Sequence, residues 1–254
     1  WVDELAPDSR RALADAWCSV ASKHPRHGTF LLAWATVGDA REQAFVAWSR
    51  ATRSRNGDIA PASLEPLPID LAEREARRHV TEVEALATNP SARLSGRARY
   101  LPWSELETVL KTYLGHPEGE LRAVALREQL SVPGLRPDDT SLPMKALDLV
   151  TARKFEQDPI RTAMFETLAL WPKRVWTKAH LPAVAQAVRD ALDASDCSFQ
   201  TSAAAERVVV RLFSVDAPFA AKLLTTLIRE RGTLHDPNLG AKLTRDEVRA
   251  AGPT

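Results

Sequence analysis

Two helices joined by a short turn are encoded in residues 101–130, LPWSELETVLKTYLGHPEGELRAVALREQL. In the first half, apolar residues recur every three or four positions, the spacing that gathers them on one helical face. They are Trp103, Leu106, Val109, Leu110, Tyr113 and Leu114. Pro102 suits the first helical turn, whereas Gly115 and Pro117 favour a helix end and a turn. The second half repeats the apolar spacing at Leu121, Val124, Ala125 and Leu130. The stretch therefore predicts an antiparallel helical hairpin.

Further helix starts are marked by leucine-proline pairs along the chain. The pairs are Leu67-Pro68, Leu101-Pro102, Leu142-Pro143 and Leu181-Pro182, with Ala217-Pro218 as a weaker fifth. Successive pairs lie 34 to 41 residues apart, a period typical of stacked helical hairpins. Apolar residues at helical spacing follow each pair; in one unit they are Met144, Leu147, Val150 and Phe155. Turns inside the units are expected at Asn89-Pro90, His116-Pro117, Asp158-Pro159 and Asp196, and Asp236-Pro237 follows the last long helix.

The turn of the central hairpin resembles the inter-helix turn of HEAT repeats. Residues 116–125, HPEGELRAVA, follow the pattern Asp-Pro, two free positions, Glu, Val, Arg, two free positions, Ala. His116 replaces the Asp and Leu121 replaces the Val; the segment at Asp158 keeps less of the pattern, and the one at Asp196 has no Pro. The resemblance implies an all-α fold, a right-handed superhelix of helix pairs. In such a fold the second helices line a concave surface that binds another macromolecule, and only neighbouring pairs contact each other.

Four regions are expected along the chain. Residues 1–57 are predicted as an N-terminal helical region, 58–68 as a linker loop, 69–238 as HEAT-like repeats and 239–254 as a closing segment. In the closing segment, Thr244 and Glu247 have the spacing of a capping box, which predicts a short final helix.

The composition is that of an ordinary globular chain, with 44% apolar and 26% charged residues and a net charge of +1. This charge offers no bulk attraction to nucleic acid. Cys18 and Cys197 are too far apart in sequence to indicate a disulfide framework, which favours a reducing compartment. No apolar run is long enough for a membrane span, and no secretory leader is visible. We therefore expect a cytoplasmic protein that does not associate with membranes.

No residue cluster has the spacing of a known catalytic or cofactor site. The sequence lacks the GxxxxGK[ST], GxSxG and GxGxxG motifs. Cys18, His24 and His27 are potential zinc ligands, but their spacing matches no common zinc signature and no fourth ligand is near. We therefore predict no catalytic residue, no metal and no cofactor, and interpret the chain as non-catalytic.

Basic and aromatic residues form the candidate partner surface. Arg93 and Arg97 would share a helical face, and Arg174 lies between Trp171 and Trp176. Arginine beside an exposed aromatic ring can contact phosphates and bases. The simpler interpretation is a solvated helix face for the arginines and core packing for the two tryptophans. The candidate surface comprises Arg93, Arg97, Arg122, Arg161, Trp171, Arg174 and Trp176.

Two functions are compatible with these features. The first is an interaction scaffold, a segment of a larger protein that binds a protein or peptide on its concave face. The alternative is a nucleic-acid-binding protein that resembles the HEAT-like alkylpurine DNA glycosylases. That function requires a basic groove with exposed tryptophan and a carboxylate such as Asp158. Convergence of the arginines on one groove would favour it, whereas pairing of the arginines with acids would argue against it.

Overall fold

A computed structural model describes residues 39–65, 67–82, 89–236 and 242–252 of the chain, together with Ser9. Throughout these residues the regular secondary structure is helical and no strand occurs, which confirms the predicted all-α class. The chain divides into two compact units, Trp1–Pro102 and Trp103–Thr254, here called the N-terminal and C-terminal units. Apart from Ser9, the part of the predicted N-terminal helical region before residue 39, with Cys18, His24 and His27, lies outside the described residues.

The described part of the N-terminal unit contains helices α1 (Asp39–Thr52), α2 (Ile69–Glu82) and α3 (Pro90–Leu94), with short 3-10 turns at Pro61–Ser63 and Ala98–Tyr100. Helix α1 buries Phe45 and Trp48, whose rings stack 5.6 Å apart. Helix α3 begins after Asn89, whose side chain accepts a hydrogen bond from the Ala92 amide. The predicted linker, 58–68, packs into this unit through three buried side chains, Ile59, Leu64 and Leu67.

A buried carboxylate on α2 fixes the chain that follows α1. Glu75 is almost fully buried and forms ion pairs with Arg53 and Arg78. Despite burial, which opposes ionisation, the hydrogen bonds and charges of these arginines lower the pKa of Glu75. Arg78 also donates to the carbonyl oxygen of Gly57 at 2.6 Å. The turn at Gly57 is thereby held against α2.

A second buried group joins three segments of the N-terminal unit. His79 on α2 has no exposed surface and lies with its Nε2 2.8 Å from Oδ1 of Asp58. Arg97 donates to the same oxygen at 3.0 Å and to the carbonyl oxygens of Ile59 and Ala92. Burial is the main cause that lowers the pKa of His79, and the charge of Arg97 adds to it. The histidine is therefore neutral in the folded chain at neutral pH and donates Nε2–H to Asp58.

This arrangement predicts that the N-terminal unit loses stability as the pH falls below about 6.5. Because the pKa of His79 is lowered on folding, the unfolded chain binds the proton first. The full contribution to stability is present above about pH 6.5 and declines as the pH falls towards the lower, folded-state pKa. Hydrogen exchange of the α2 amides, corrected for intrinsic rates, measures how the stability of this unit depends on pH. A His79→Gln variant should weaken the pH dependence, and a His116→Gln control in the other unit should retain it. An unchanged pH dependence in His79→Gln would refute the assignment.

The C-terminal unit contains the helices that the sequence repeat predicts. Within the described residues they are α4 (Trp103–Leu114), α5 (Gly119–Leu135), α6 (Leu142–Ala152), α7 (Asp158–Ala169), α8 (Leu181–Leu192), α9 (Phe199–Leu212), α10 (Ala217–Arg231) and α11 (Arg245–Ala251). Helices α6 and α8 begin at the leucine of a leucine-proline pair, and α10 begins at Ala217. The predicted capping box of α11 is present: Thr244 and Glu247 each accept a hydrogen bond from the other's backbone amide.

These helices pack in two series. The second helices of the hairpins, α5, α7 and α9, follow one another, because α7 contacts both α5 and α9. The first helices, α6, α8 and α10, form the other series, because α8 contacts both α6 and α10. Apolar side chains with no exposed surface fill the unit, including Leu106, Leu126, Leu168, Val188 and Leu212. None of the described helices is long and apolar enough to cross a membrane.

One predicted core residue is exposed. The apolar spacing predicts that Phe155 shares a buried helical face with Met144, Leu147 and Val150. Helix α6 ends at Ala152, so the helical spacing does not extend to Phe155, which lies in the following turn with 90% of its surface exposed. The prediction for Phe155 is therefore wrong, whereas Leu147 and Val150 are buried as expected.

Candidate functional site

Arginines on the second helices bind acids in the next turn along the chain. Arg122, near the start of α5, donates from Nε to Glu156 at 3.0 Å across a sequence distance of 34 residues. Arg161, at the equivalent place in α7, binds Asp196 across 35 residues. The carboxylate of Asp196 also accepts the backbone amide of Asp158 at 3.2 Å. Despite burial of Asp158, hydrogen bonds from residues 198 and 201 and the charge of Arg161 lower its pKa. These bonds hold each hairpin to the next.

Carbonyl groups at the ends of the first helices are bound in a similar way. Arg153 follows α6 and donates to the carbonyl oxygen of Leu114, the last residue of α4, at 2.8 Å. Arg231 ends α10 and donates to the carbonyl oxygen of Leu192, the last residue of α8, at 3.3 Å. Both bonds span 39 residues. Since the last carbonyls of a helix have no partner within it, these arginines supply one from the next repeat.

Two of the candidate surface residues, Arg93 and Arg97, belong to the N-terminal unit. Arg97 is buried and its guanidinium is bound by Asp58 and by backbone carbonyls. Arg93 is half-buried in the last turn of α3. Helix α3 ends at Leu94, so the two arginines do not share a helical face.

Trp171 and Trp176 lie in the core of the C-terminal unit. Trp171 is 1% exposed and its ring centroid lies 4.8 Å from that of Trp176, which is also buried. The indole Nε1–H of Trp171 donates to the carbonyl oxygen of Leu130 at 2.7 Å, across 41 residues. This geometry is that of inter-repeat packing, the simpler of the two interpretations of the sequence. Arg174, in the 3-10 turn Lys173–Val175, is exposed.

The seven candidate residues therefore do not share one exposed surface. The structure buries four of them, engages Arg122 with Glu156, and leaves Arg174 exposed in the C-terminal unit. Sequence spacing alone does not show how Arg122, Arg161 and Trp171 are bound, because each contacts a partner 34 to 41 residues away.

A groove of about 650 Å³ lies along α7 and α9. Its apolar part contains Leu170, which is 77% exposed although it is a large aliphatic residue. Ala169 and Val210 continue the apolar lining. Charged residues at the groove include Glu166, Lys173, Arg207 and Arg211. No sequence motif marks this groove, because Leu170 comes just after the last residue of α7 and has the same spacing as a core residue.

The charged groups of the groove are positioned by bonds to neighbouring elements. Glu166 and Arg207 form an ion pair of 3.3 Å between α7 and α9. Arg211 donates from Nε to the carbonyl oxygen of Ala169 at 3.0 Å. Lys173 lies 3.3 Å from Glu247 of α11. The groove thus combines an exposed apolar side chain with fixed charges of both signs, an arrangement suited to a polypeptide segment.

A serine and a histidine meet beside the groove but are not arranged for nucleophilic catalysis. The Ser202 hydroxyl lies 2.9 Å from Nε2 of His235. The carbonyl oxygens of Ser198 and Phe199, at 3.2 and 3.0 Å, compete with the histidine for the single hydroxyl proton. Ser202 is also buried. A nucleophile requires access to substrate as well as a base. In the described part of the chain, no group of three or more His, Cys, Asp or Glu residues could hold a metal ion.

Comparison of the chain with protein-family models, with curated proteins and with solved structures found no match in any of the three. The likeness to HEAT repeats consequently rests on the residues of this chain, namely the HPEGELRAVA segment and the repeat period of about 40 residues.

Proposed function

We propose that the chain is a non-catalytic HEAT-like interaction scaffold that binds a protein or peptide partner along its second helices. The proposal extends the observed packing of α5, α7 and α9 to the right-handed superhelix that the HEAT resemblance implies. In that arrangement the groove along α7 and α9 belongs to the concave, partner-binding face. A cytoplasmic location fits the two distant cysteines.

The exposure of Leu170 in the groove is the observation that supports this proposal most strongly. Large aliphatic side chains in a groove are normally buried against a neighbour, and an exposed one is a common anchor for a partner. Around Leu170, Glu166 and Arg207 remain about half exposed and can exchange their mutual ion pair for bonds to a partner at little cost. A polypeptide with one apolar anchor and flanking polar groups would complement this surface.

Photo-crosslinking tests the proposal. A benzoylphenylalanine placed at position 170 should crosslink a discrete polypeptide in cells that express the chain naturally. The same group at position 148, an exposed site on α6, is the control and should not. In the chain that carries the crosslinker at position 170, Arg207→Glu should lower the crosslink yield by about fivefold or more, because the new acid lies opposite Glu166. Equal labelling from positions 170 and 148 would contradict the proposed binding surface.

The alternative function, nucleic-acid binding, is less well supported by the same geometry. Arg97, Arg122 and Arg161 each bind a carboxylate, which neutralises the charge that phosphate contacts require. The two tryptophans that would stack on bases are buried. A gel shift with single-stranded and duplex DNA whose affinity fell steeply with salt would reverse this preference.

A further inference from the structure

Phe155 is displayed at the opposite end of α7 from Leu170. Phe155 precedes α7 and Leu170 follows it, and a helix of 12 residues spans about 18 Å. Phe155 is 90% exposed, more than the other exposed large apolar residues of the described chain. The Lys154 ammonium lies 5.0 Å from the centroid of its ring. The ring therefore stands clear of the core, with a cation on one side.

The turn that carries Phe155 is fixed on both sides of the ring. Arg153 binds the carbonyl oxygen of Leu114 at 2.8 Å and the Glu156 carboxylate at 3.2 Å. Glu156 in turn binds Arg122 at 3.0 Å, and its backbone carbonyl accepts from Arg161. These bonds order the turn before a partner binds. A partner that packs on Phe155 would therefore not have to meet the entropy cost of ordering this backbone.

A cleft of about 500 Å³ adjoins Phe155 and is rich in acids. Its charged lining comprises Glu156, Asp190, Asp193 and Asp196, against Lys154 and Arg161. Two of these acids are already paired, Asp196 with Arg161 and Glu156 with Arg122 and Arg153. Among the described residues no ion pair engages Asp190 or Asp193, and Asp190 accepts one hydrogen bond, from the Gln186 amide at 2.8 Å. These two carboxylates face one lysine, Lys154, so the cleft keeps a negative balance.

We infer that Phe155 and this cleft form a second docking surface, whose occupant is a basic polypeptide segment with an arginine or lysine beside an apolar residue. The basic side chain enters the cleft and donates to Asp190 and Asp193, while the apolar residue packs on the free part of the Phe155 ring. A guanidinium suits this place particularly well, because it can bind carboxylates and also lie against an aromatic ring. The acidic lining disfavours nucleic acid, whose phosphates would be repelled.

Panning a phage-displayed library of random peptides on the full chain tests this inference. The recovered peptides should be enriched in arginine or lysine next to apolar residues. Synthesised with fluorescein and titrated by fluorescence anisotropy, they should bind Phe155→Ala at least about tenfold more weakly than the unchanged chain. Asp193→Asn should weaken binding and reduce its dependence on salt.

Matched control variants show whether peptide binding depends on Phe155 and its cleft. Val248→Ala removes another exposed apolar side chain, and Asp148→Asn another exposed acid; both should bind like the unchanged chain. Peptides whose binding is lost in Leu170→Asp but kept in Phe155→Ala would belong to the groove along α7 and α9, so that failure of the groove proposal and failure of this one can be told apart.

Three results would overturn the inference. The first is a panning experiment that recovers no peptide, or only peptides without basic residues. The second is equal affinity for the unchanged chain and Phe155→Ala. The third is self-association in sedimentation experiments that Phe155→Ala abolishes, because the occupant would then be a second copy of the chain.

Discussion

Replacing Trp171 with alanine is expected to lower the free energy of unfolding of the C-terminal unit by about 4 kcal/mol. The side chain is 1% exposed and lies against Trp176, so its removal leaves a large cavity. It also leaves the carbonyl oxygen of Leu130 without its indole donor, which adds a desolvation cost. Urea unfolding followed by circular dichroism measures the effect.

Two variants show whether the loss has these causes. Trp171→Phe keeps an aromatic ring but removes the N–H donor, and should cost about half as much. Leu170→Ala changes the adjacent but exposed residue and should alter the free energy of unfolding by no more than about 0.5 kcal/mol. A Trp171→Ala loss below about 1 kcal/mol would mean that the indole is not buried between repeats.

Replacing Arg161 with methionine is expected to destabilise the C-terminal unit by about 2 to 3 kcal/mol. Methionine keeps the apolar length of the buried stem but removes the donors to Asp196 and to the Glu156 carbonyl oxygen. It also removes a charge that lies 3.6 Å from Asp158. The loss should be smaller than for a fully enclosed ion pair, since the Asp196 carboxylate is about half exposed to water.

Arg207→Met is the matched control for this prediction. Arg207 also binds an acid about 40 residues away, Glu166, but both side chains are about half exposed. Exposed ion pairs contribute little, so this change should cost about 0.5 kcal/mol or less in urea unfolding. Equal losses in the two variants would show that burial of Arg161 does not matter.

The helices of the C-terminal unit could be predicted because their signals are local. Proline at the first helical turn of α6, apolar spacing and the Thr244–Glu247 capping box each act within a few residues. Those rules place helix starts to within a residue or two. The same locality explains the error at Phe155: apolar spacing extended past Ala152, where the helix ends.

The exposure of the candidate surface residues was harder to predict from the sequence, for a physical reason. Whether Arg161 or Trp171 faces solvent depends on Asp196 and on the Leu130 carbonyl, which are 35 and 41 residues away. An arginine that the sequence places on a candidate surface can therefore be a buried, paired group in the fold. Conversely, Leu170 is a large aliphatic residue at a helical spacing, which predicts burial. It is exposed because α7 ends just before it.

If residues about 40 positions apart touch because successive hairpins stack, a disulfide between two such positions should form readily. The hydroxyl oxygens of Thr162 on α7 and Thr201 on α9 lie 2.5 Å apart, which places the two side chains close enough for a disulfide. In a chain with Cys18 and Cys197 changed to serine, Thr162→Cys with Thr201→Cys should crosslink almost completely under mild oxidation. Ser104→Cys on α4 paired with Thr162→Cys should not crosslink. Two free thiols at positions 162 and 201 under the same oxidant would contradict the stacking of α7 on α9.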